Sequence, residues 1–181
     1  DLVGLDGNAI LLGSSVRDNF AGGTGADLMT GGGGTDNYRF EQGDSPTGVV
    51  NLGNGVSSTV LDNGDTFVFA GGADRITDFA TGEGIDLSVL HADLANVTNL
   101  SWMGTQGTTP ATSLPPTNGL ATNQGFFLVQ GSYDNITTFT VNNAGADTLV
   151  VYDGDSTASG TPSGIIHRGL PLAQPAAFSA F

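Results

Sequence analysis

The 181 residues predict an all-β chain: a short parallel β-roll over 1–45, then a β-rich, mostly antiparallel cap over 46–181. Three observations carry that prediction. Residues 4–39 divide into nines, GLDGNAILL, GSSVRDNFA, GGTGADLMT and GGGGTDNYR, with an apolar residue at each eighth position: Leu11, Phe20, Met29 and Tyr38. The second half carries β-branched and aromatic runs such as GFFLVQGSY and DTLVVYD, the composition of strands. No segment keeps a long helical period.

In the nines, one apolar side chain per repeat enters a shared interior, which asks for a short strand. The glycines before it supply a tight turn whose backbone reaches positive φ without Cβ strain. The fourth positions are Gly7, Val16, Gly25 and Gly34, and the sixth are Ala9, Asp18, Asp27 and Asp36. The first nonapeptide therefore lacks the carboxylate and the second lacks the glycine, while the third and fourth are complete. Carboxylates recurring on stacked turns repel unless a cation lies between them. Calcium takes six to eight oxygens and accepts carboxylates and backbone carbonyls alike. The pattern G-G-x-G-x-D-x-U-x is itself a known signature of calcium-binding parallel β-helix repeats. A flexible Gly-rich linker is the alternative, but a linker has no reason to keep acidic and apolar residues in register.

These residues resemble the RTX (repeats-in-toxin) proteins, substrates of type I secretion. The resemblance continues in YRFEQGDS at 38–45, which looks like the strand closing such a roll. It continues again in GDTFVFAGGADRITDFATGEGIDLSVL at 64–90, similar to the run that follows the roll in serralysin-type proteases. It covers about the first half of the chain.

The resemblance implies that two nonapeptides make one coil, so calcium sits between turns 18 residues apart. Asp18 and Asp36 have that spacing. With the carbonyls of Gly13 and Ser15 on one turn and of Gly32 and Gly34 on the other, they give six oxygens, a sufficient shell. On the other side, Asp27 faces less complete turns. Toward the first repeat, Gly23 and Gly25 would meet Gly4 and Asp6; toward the chain after the fourth, Gly22 and Thr24 would meet Gly43 and Asp44. Asp74, Asp78, Glu83 and Asp86 form a third acidic group, and in the resembling proteins such a segment packs beside the end of the roll and completes a last calcium site.

Residues 45–61 are a Pro/Gly/Asn/Ser-rich connection with two β-branched runs, Val49–Val50 and Thr59–Val60. The pattern D-x-aromatic-x-Phe occurs at 36–40 and again at 65–69, as if a segment were inserted between roll and cap. Residues 75–79 and 85–90 read as strands joined by a turn at 80–84. Residues 91–100 suit a short helix capped by Ser88 or Asp93. Three prolines mark 104–125 as an exposed loop. Strands at 125–133, 136–142 and 147–153 suggest a meander, with an edge strand at 165–167.

Composition narrows the function. Lys plus Arg number 4 against 18 Asp plus Glu, a net charge of −14. That argues against nucleic acid, whose phosphates need cationic partners, and against anionic membrane surfaces. No run reaches the roughly 18 apolar residues of a membrane span, and no N-terminal signal peptide is legible. The chain begins at Asp1, so it reads as a fragment or a processed product. Without cysteine, a secreted domain needs another staple, and a structural metal is one.

Catalytic readings are poor: there is no H-E-x-x-H, no G-x-S-x-G and no cysteine nucleophile. Paired carboxylates for sugar hydrolysis stay open, but the acids have a better explanation as calcium ligands, so the chain is read as a non-enzyme. The expectation is a calcium-binding module of a secreted, extracellular protein that folds on meeting calcium and carries C-terminal information for the type I secretion apparatus. The rivals are a surface-layer, adhesin or filament module with calcium-stabilised contacts between copies, and a carbohydrate-contacting module like the R-modules of alginate epimerases.

Overall fold

In a computed structural model, the described residues are 1–41, 43–45, 47–51, 63–87, 101–102, 125–153 and 163–168. They are all-β, with no helix among them. The roll begins with β1 (Leu2–Val3), β2 (Ile10–Leu12), β3 (Asn19–Ala21), β4 (Leu28–Thr30) and β5 (Asn37–Arg39). Each of the last four centres on the apolar eighth position of its nonapeptide. Pairing is parallel and skips one strand: Phe20 lies beside Leu2 and Tyr38, and Met29 beside Leu11. Two nonapeptides therefore make one coil, as the resemblance implied.

The chain then leaves the roll. β6 (Thr47–Asn51) and β7 (Thr66–Phe69) form an antiparallel pair. It returns at β8 (Asp74–Ile76) and β9 (Gly84–Asp86), which add a further parallel coil on β4 and β5. Asp78 meets Gly31 at an offset of 47, in place of the 18 between repeats. Residues assigned by sequence to the cap thus lie on the end of the roll, where the resemblance put them. The two copies of D-x-aromatic-x-Phe end up in different sheets, β5 in one and β7 in the other.

One sheet runs β1-β3-β5-β9. The other begins β2-β4-β8 and continues into the cap through β14 (Ser163–Arg168), β13 (Asp147–Asp153), β11 (Gly125–Tyr133), β12 (Thr138–Val141), β7 and β6. β10 (Ser101–Trp102) pairs parallel with β11.

Two expectations are corrected here. The strand foreseen as an edge at 165–167 is internal, parallel to β8 and antiparallel to β13, and Ile166 is buried. The foreseen meander is not one, because β11 lies between β12 and β13. Its nine residues suffice for both partners, pairing over Gly125–Gly131 on one side and Gly131–Tyr133 on the other. The helix foreseen at 91–100, the β-branched run at 59–60 and the loop at 104–124 lie outside the described residues.

Two cores result. Phe20, Met29, Tyr38, Phe40, Ile76 and Phe79 fill the roll, joined by Leu128 and Val150 of the cap. Val129, Leu149 and Val151, one residue along on the same two strands, point into a second core with Phe67, Phe139 and Ile166. Period-two alternation thus gives β11 and β13 two buried faces.

The crossing point of the cap is crowded. A Cβ on Gly145 would strike the carbonyl, carbon and Cα of Gly131, all backbone. Gly145→Ala is therefore expected to destabilise the cap by more than about 2 kcal/mol, read as the shift of a denaturant midpoint. An unchanged midpoint would mean that β11 and the turn before β13 sit farther apart.

Candidate metal centre

Because strands alternate between sheets, the turns fall on two opposite edges of the roll. Turns 4–9 and 22–27 share the odd edge, named for the first and third nonapeptides. Turns 13–18 and 31–36 share the even edge. Positive φ at Gly25 (139°) and Gly34 (117°) shows why the fourth position wants glycine. Val16 has no positive φ; among the described non-glycine residues only Leu5 and Asn135 do. Its turn is held instead by the Ser14 hydroxyl, which accepts the Val16 N–H at 3.3 Å.

The aspartates form ladders. On the odd edge, Asp27 Oδ1 accepts the Ala9 N–H (2.7 Å) and Asp74 Oδ1 accepts the Asp27 N–H (2.8 Å). The Asp74 N–H in turn donates to Ser45 Oγ (2.8 Å). On the even edge, Asp36 Oδ1 accepts the Asp18 N–H (2.8 Å). Asp78 receives the Gly31 and Gly32 N–H groups with its two oxygens (2.9 Å each).

The rungs at Asp27, Asp36 and Asp74 each use one carboxylate oxygen. The other oxygens, Oδ2 of Asp27, Asp36 and Asp74, are buried and have no hydrogen-bond partner. An unsatisfied buried acceptor costs about 1–3 kcal/mol, and more when charged. Burial accordingly raises the pKa of Asp27 and pushes Asp74 up to about 8. Burial also pushes Glu83 up to about 7 and Asp44 to about 6, with neighbouring carboxylates adding to both. Asp18 differs: its Oδ2 accepts both the N–H and the hydroxyl of Ser14 (2.7 and 2.8 Å), which lowers its pKa.

The placements revise the expected groupings. Gly13, Ser15, Asp18, Gly32, Gly34 and Asp36 do share the even edge, but the unpartnered oxygen there belongs to Asp36, not Asp18. The third acidic group divides between the edges. Asp74 stacks on Asp27 at the odd edge, whereas Asp78 and Glu83 close the even edge, because three-residue β8 carries the chain across the roll between them. Asp86 lies in β9 opposite Arg39 rather than in a turn.

The odd edge gathers the rest of the expected residues. Leu5 and Gly7 donate to the carbonyls of Gly22 and Thr24, and the Thr24 hydroxyl bonds Asp6 at 3.1 Å. Gly4 and Gly23 lie in the same stacked turns. Gly25 donates to the Asp44 carbonyl, which sets 43–45 against turn 22–27. Asp27 thus gains Asp74, a partner that its spacing did not offer. Ser45 is a residue of this edge outside the expected set; the signal that could have found it is its place nine residues beyond Asp36, at the sixth position of a fifth nonapeptide.

Among the described residues, no three His, Cys, Asp or Glu side chains converge as a metal cluster. A hard cation here would therefore draw on turn carbonyls as well as carboxylates. The carbonyls of Gly22 and Thr24 each already accept one N–H and keep a second lone pair. Buried, unpartnered carboxylate oxygens beside Gly-rich turns fit calcium: the acids supply charge and the backbone supplies further oxygens.

No protein-family model and no curated protein matches the chain. Among solved structures, the AlgE6R3 subunit from the Azotobacter vinelandii mannuronan C5-epimerase aligns over 98% of this chain and 80% of its own, at 18% identity and a TM-score of 0.45.

Proposed function

We propose that the chain is a calcium-binding roll module of an extracellular protein, of the repeats-in-toxin type, in which calcium drives closure of the roll. The carrying observation is the set of three buried carboxylate oxygens without partners, Oδ2 of Asp27, Asp36 and Asp74. Protons or cations must answer them, and a net charge of −14 with no lysine leaves few cations within the chain.

A ligand that binds only the folded state stabilises by RT ln(1 + [L]/Kd), about 2.7 kcal/mol per site at a hundredfold excess. Extracellular calcium sites work at about 10⁻⁴–10⁻³ M, so the roll would stay open inside a cell and close outside it. Export by a type I apparatus belongs to the same reading and rests on the sequence resemblance. No described helix is long and apolar enough to cross a membrane. The module is read as a folding and binding element rather than an enzyme.

Calcium titrated into chelated protein, followed by circular dichroism, tests the reading. The β-signal is expected to grow with calcium; a complete signal in excess chelator would defeat the folding role. Light scattering on the same samples addresses a second reading, assembly between copies. That reading is favoured by Val3, Leu5, Ile10, Leu12 and Val16, all exposed on the first coil. Calcium-dependent growth in mass would support assembly, and a constant monomer would remove it.

A further inference from the structure

We propose that the Tyr38 hydroxyl is an oxygen of the even-edge cation site, acting with Asp36 Oδ2 and Glu83 on a hard cation such as calcium. The proposal rests on the preceding reading and adds a residue outside the repeat's acidic and glycine positions. Tyr38 occupies an apolar position, and its ring behaves accordingly. It is wholly buried, stacks on Phe20 at 4.9 Å and 15°, and lies 6.0 Å from Phe79. Phenylalanine would fill that space without a polar atom, so the hydroxyl asks for a reason.

The hydroxyl is buried and has no hydrogen-bond partner. A buried hydroxyl left unpaired is costly, since it gives up its bonds to water for nothing. The neighbouring Gly31 N–H is committed to Asp78 Oδ1 at 2.9 Å. A Cβ on Gly31 would collide with both the Tyr38 hydroxyl and Asp36 Oδ2. The two unpartnered oxygens therefore sit together on one side of that glycine. Glu83 completes the setting from the turn above: its Oε2 accepts the Ala80 N–H at 2.7 Å, and its carboxyl is close enough to interact with that of Asp36.

Burial, and then the charges of Glu83, Asp78 and Asp36, raise the Tyr38 pKa, so the phenol stays neutral. A neutral phenol offers lone pairs without adding charge, and a hard cation accepts such oxygens beside carboxylates. A cation between these oxygens satisfies both orphans at once. A Cβ at position 31 would have to push both of these oxygens aside.

The test is terbium luminescence excited through tyrosine, with calcium affinity read by calorimetry. Tyr38→Phe is expected to lose more than half of the sensitised emission and to raise the calcium midpoint about tenfold, within the range for removing a polar partner near a metal. Unchanged emission and midpoint in Tyr38→Phe would overturn the proposal while leaving the calcium-module reading intact. Wild-type protein that binds neither ion would overturn both. Should Tyr38→Phe fail to fold, the excitation spectrum of terbium bound to wild-type protein decides. A tyrosine-shaped spectrum that persists when Tyr133 and Tyr152 are both replaced by Phe upholds the assignment, and a spectrum of tryptophan alone overturns it.

Discussion

With calcium chelated, the protein is expected to be less stable at pH 8 than at pH 5. The sign follows from proton counts. In the unfolded chain, Asp and Glu titrate near 3.9 and 4.3. In the fold, burial pushes Asp74 up to about 8, Glu83 to about 7 and Asp44 to about 6. Between about pH 4 and 8 the folded state thus holds more protons than the unfolded one, so stability falls as pH rises. Asp74 alone contributes a slope of up to about 1.4 kcal/mol per pH unit across that window.

Saturating calcium requires ionised carboxylates and is expected to flatten or reverse the slope. Urea midpoints across pH, with chelator and with calcium, provide the measurement. A calcium-free midpoint that rises from pH 5 to 8 would show that these carboxyls are not held protonated by burial.

Asp74→Asn should separate the two demands placed on one side chain. The amide oxygen can still accept the Asp27 N–H, so the rung of the ladder survives. The charge is lost from a group that is wholly buried. In chelator at pH 8, the variant is expected to melt at a higher temperature than wild type. Its calcium midpoint is expected to rise about tenfold, equivalent to roughly 1.4 kcal/mol. Asp74→Ala, which also removes the rung, is expected to lose stability in both conditions. A drop in calcium-free stability for Asp74→Asn similar to that for Asp74→Ala would assign Asp74 a hydrogen-bonding role alone.

The roll was legible because its spacing is its geometry. The nines located the strands, and the resemblance supplied the rule that 18 residues make one coil, the rule that the pairing of Phe20 with Tyr38 follows. Asp74 could not be placed on Asp27, because the chain detours through β6 and β7 and no local pattern records where it rejoins. Nearness in sequence then misled. Asp74 and Asp78 are four residues apart, yet a three-residue strand spanning the roll sends them to opposite edges.

In the cap, composition revealed strands but not neighbours. β11 and β13 bury alternate residues in two different cores, so neither face marks an outside and the order β13-β11-β12 left no sign. The Tyr38 hydroxyl left no sign for a different reason. At an apolar position its ring explains itself, and only the buried surroundings show that its hydroxyl lacks a partner.

The position of β8 between β4 and β14 also sets a schedule. Asp74–Ile76 needs residues 28–30 on one flank and residues 163–168 on the other. Contacts so distant along the chain make folding slow, since long loops must close before pairing rewards them. A chain delivered one end at a time cannot finish this sheet until its last described strand arrives. Delay is thus built into the strand order: the segment that begins the roll waits unfinished for one that follows it by more than a hundred residues.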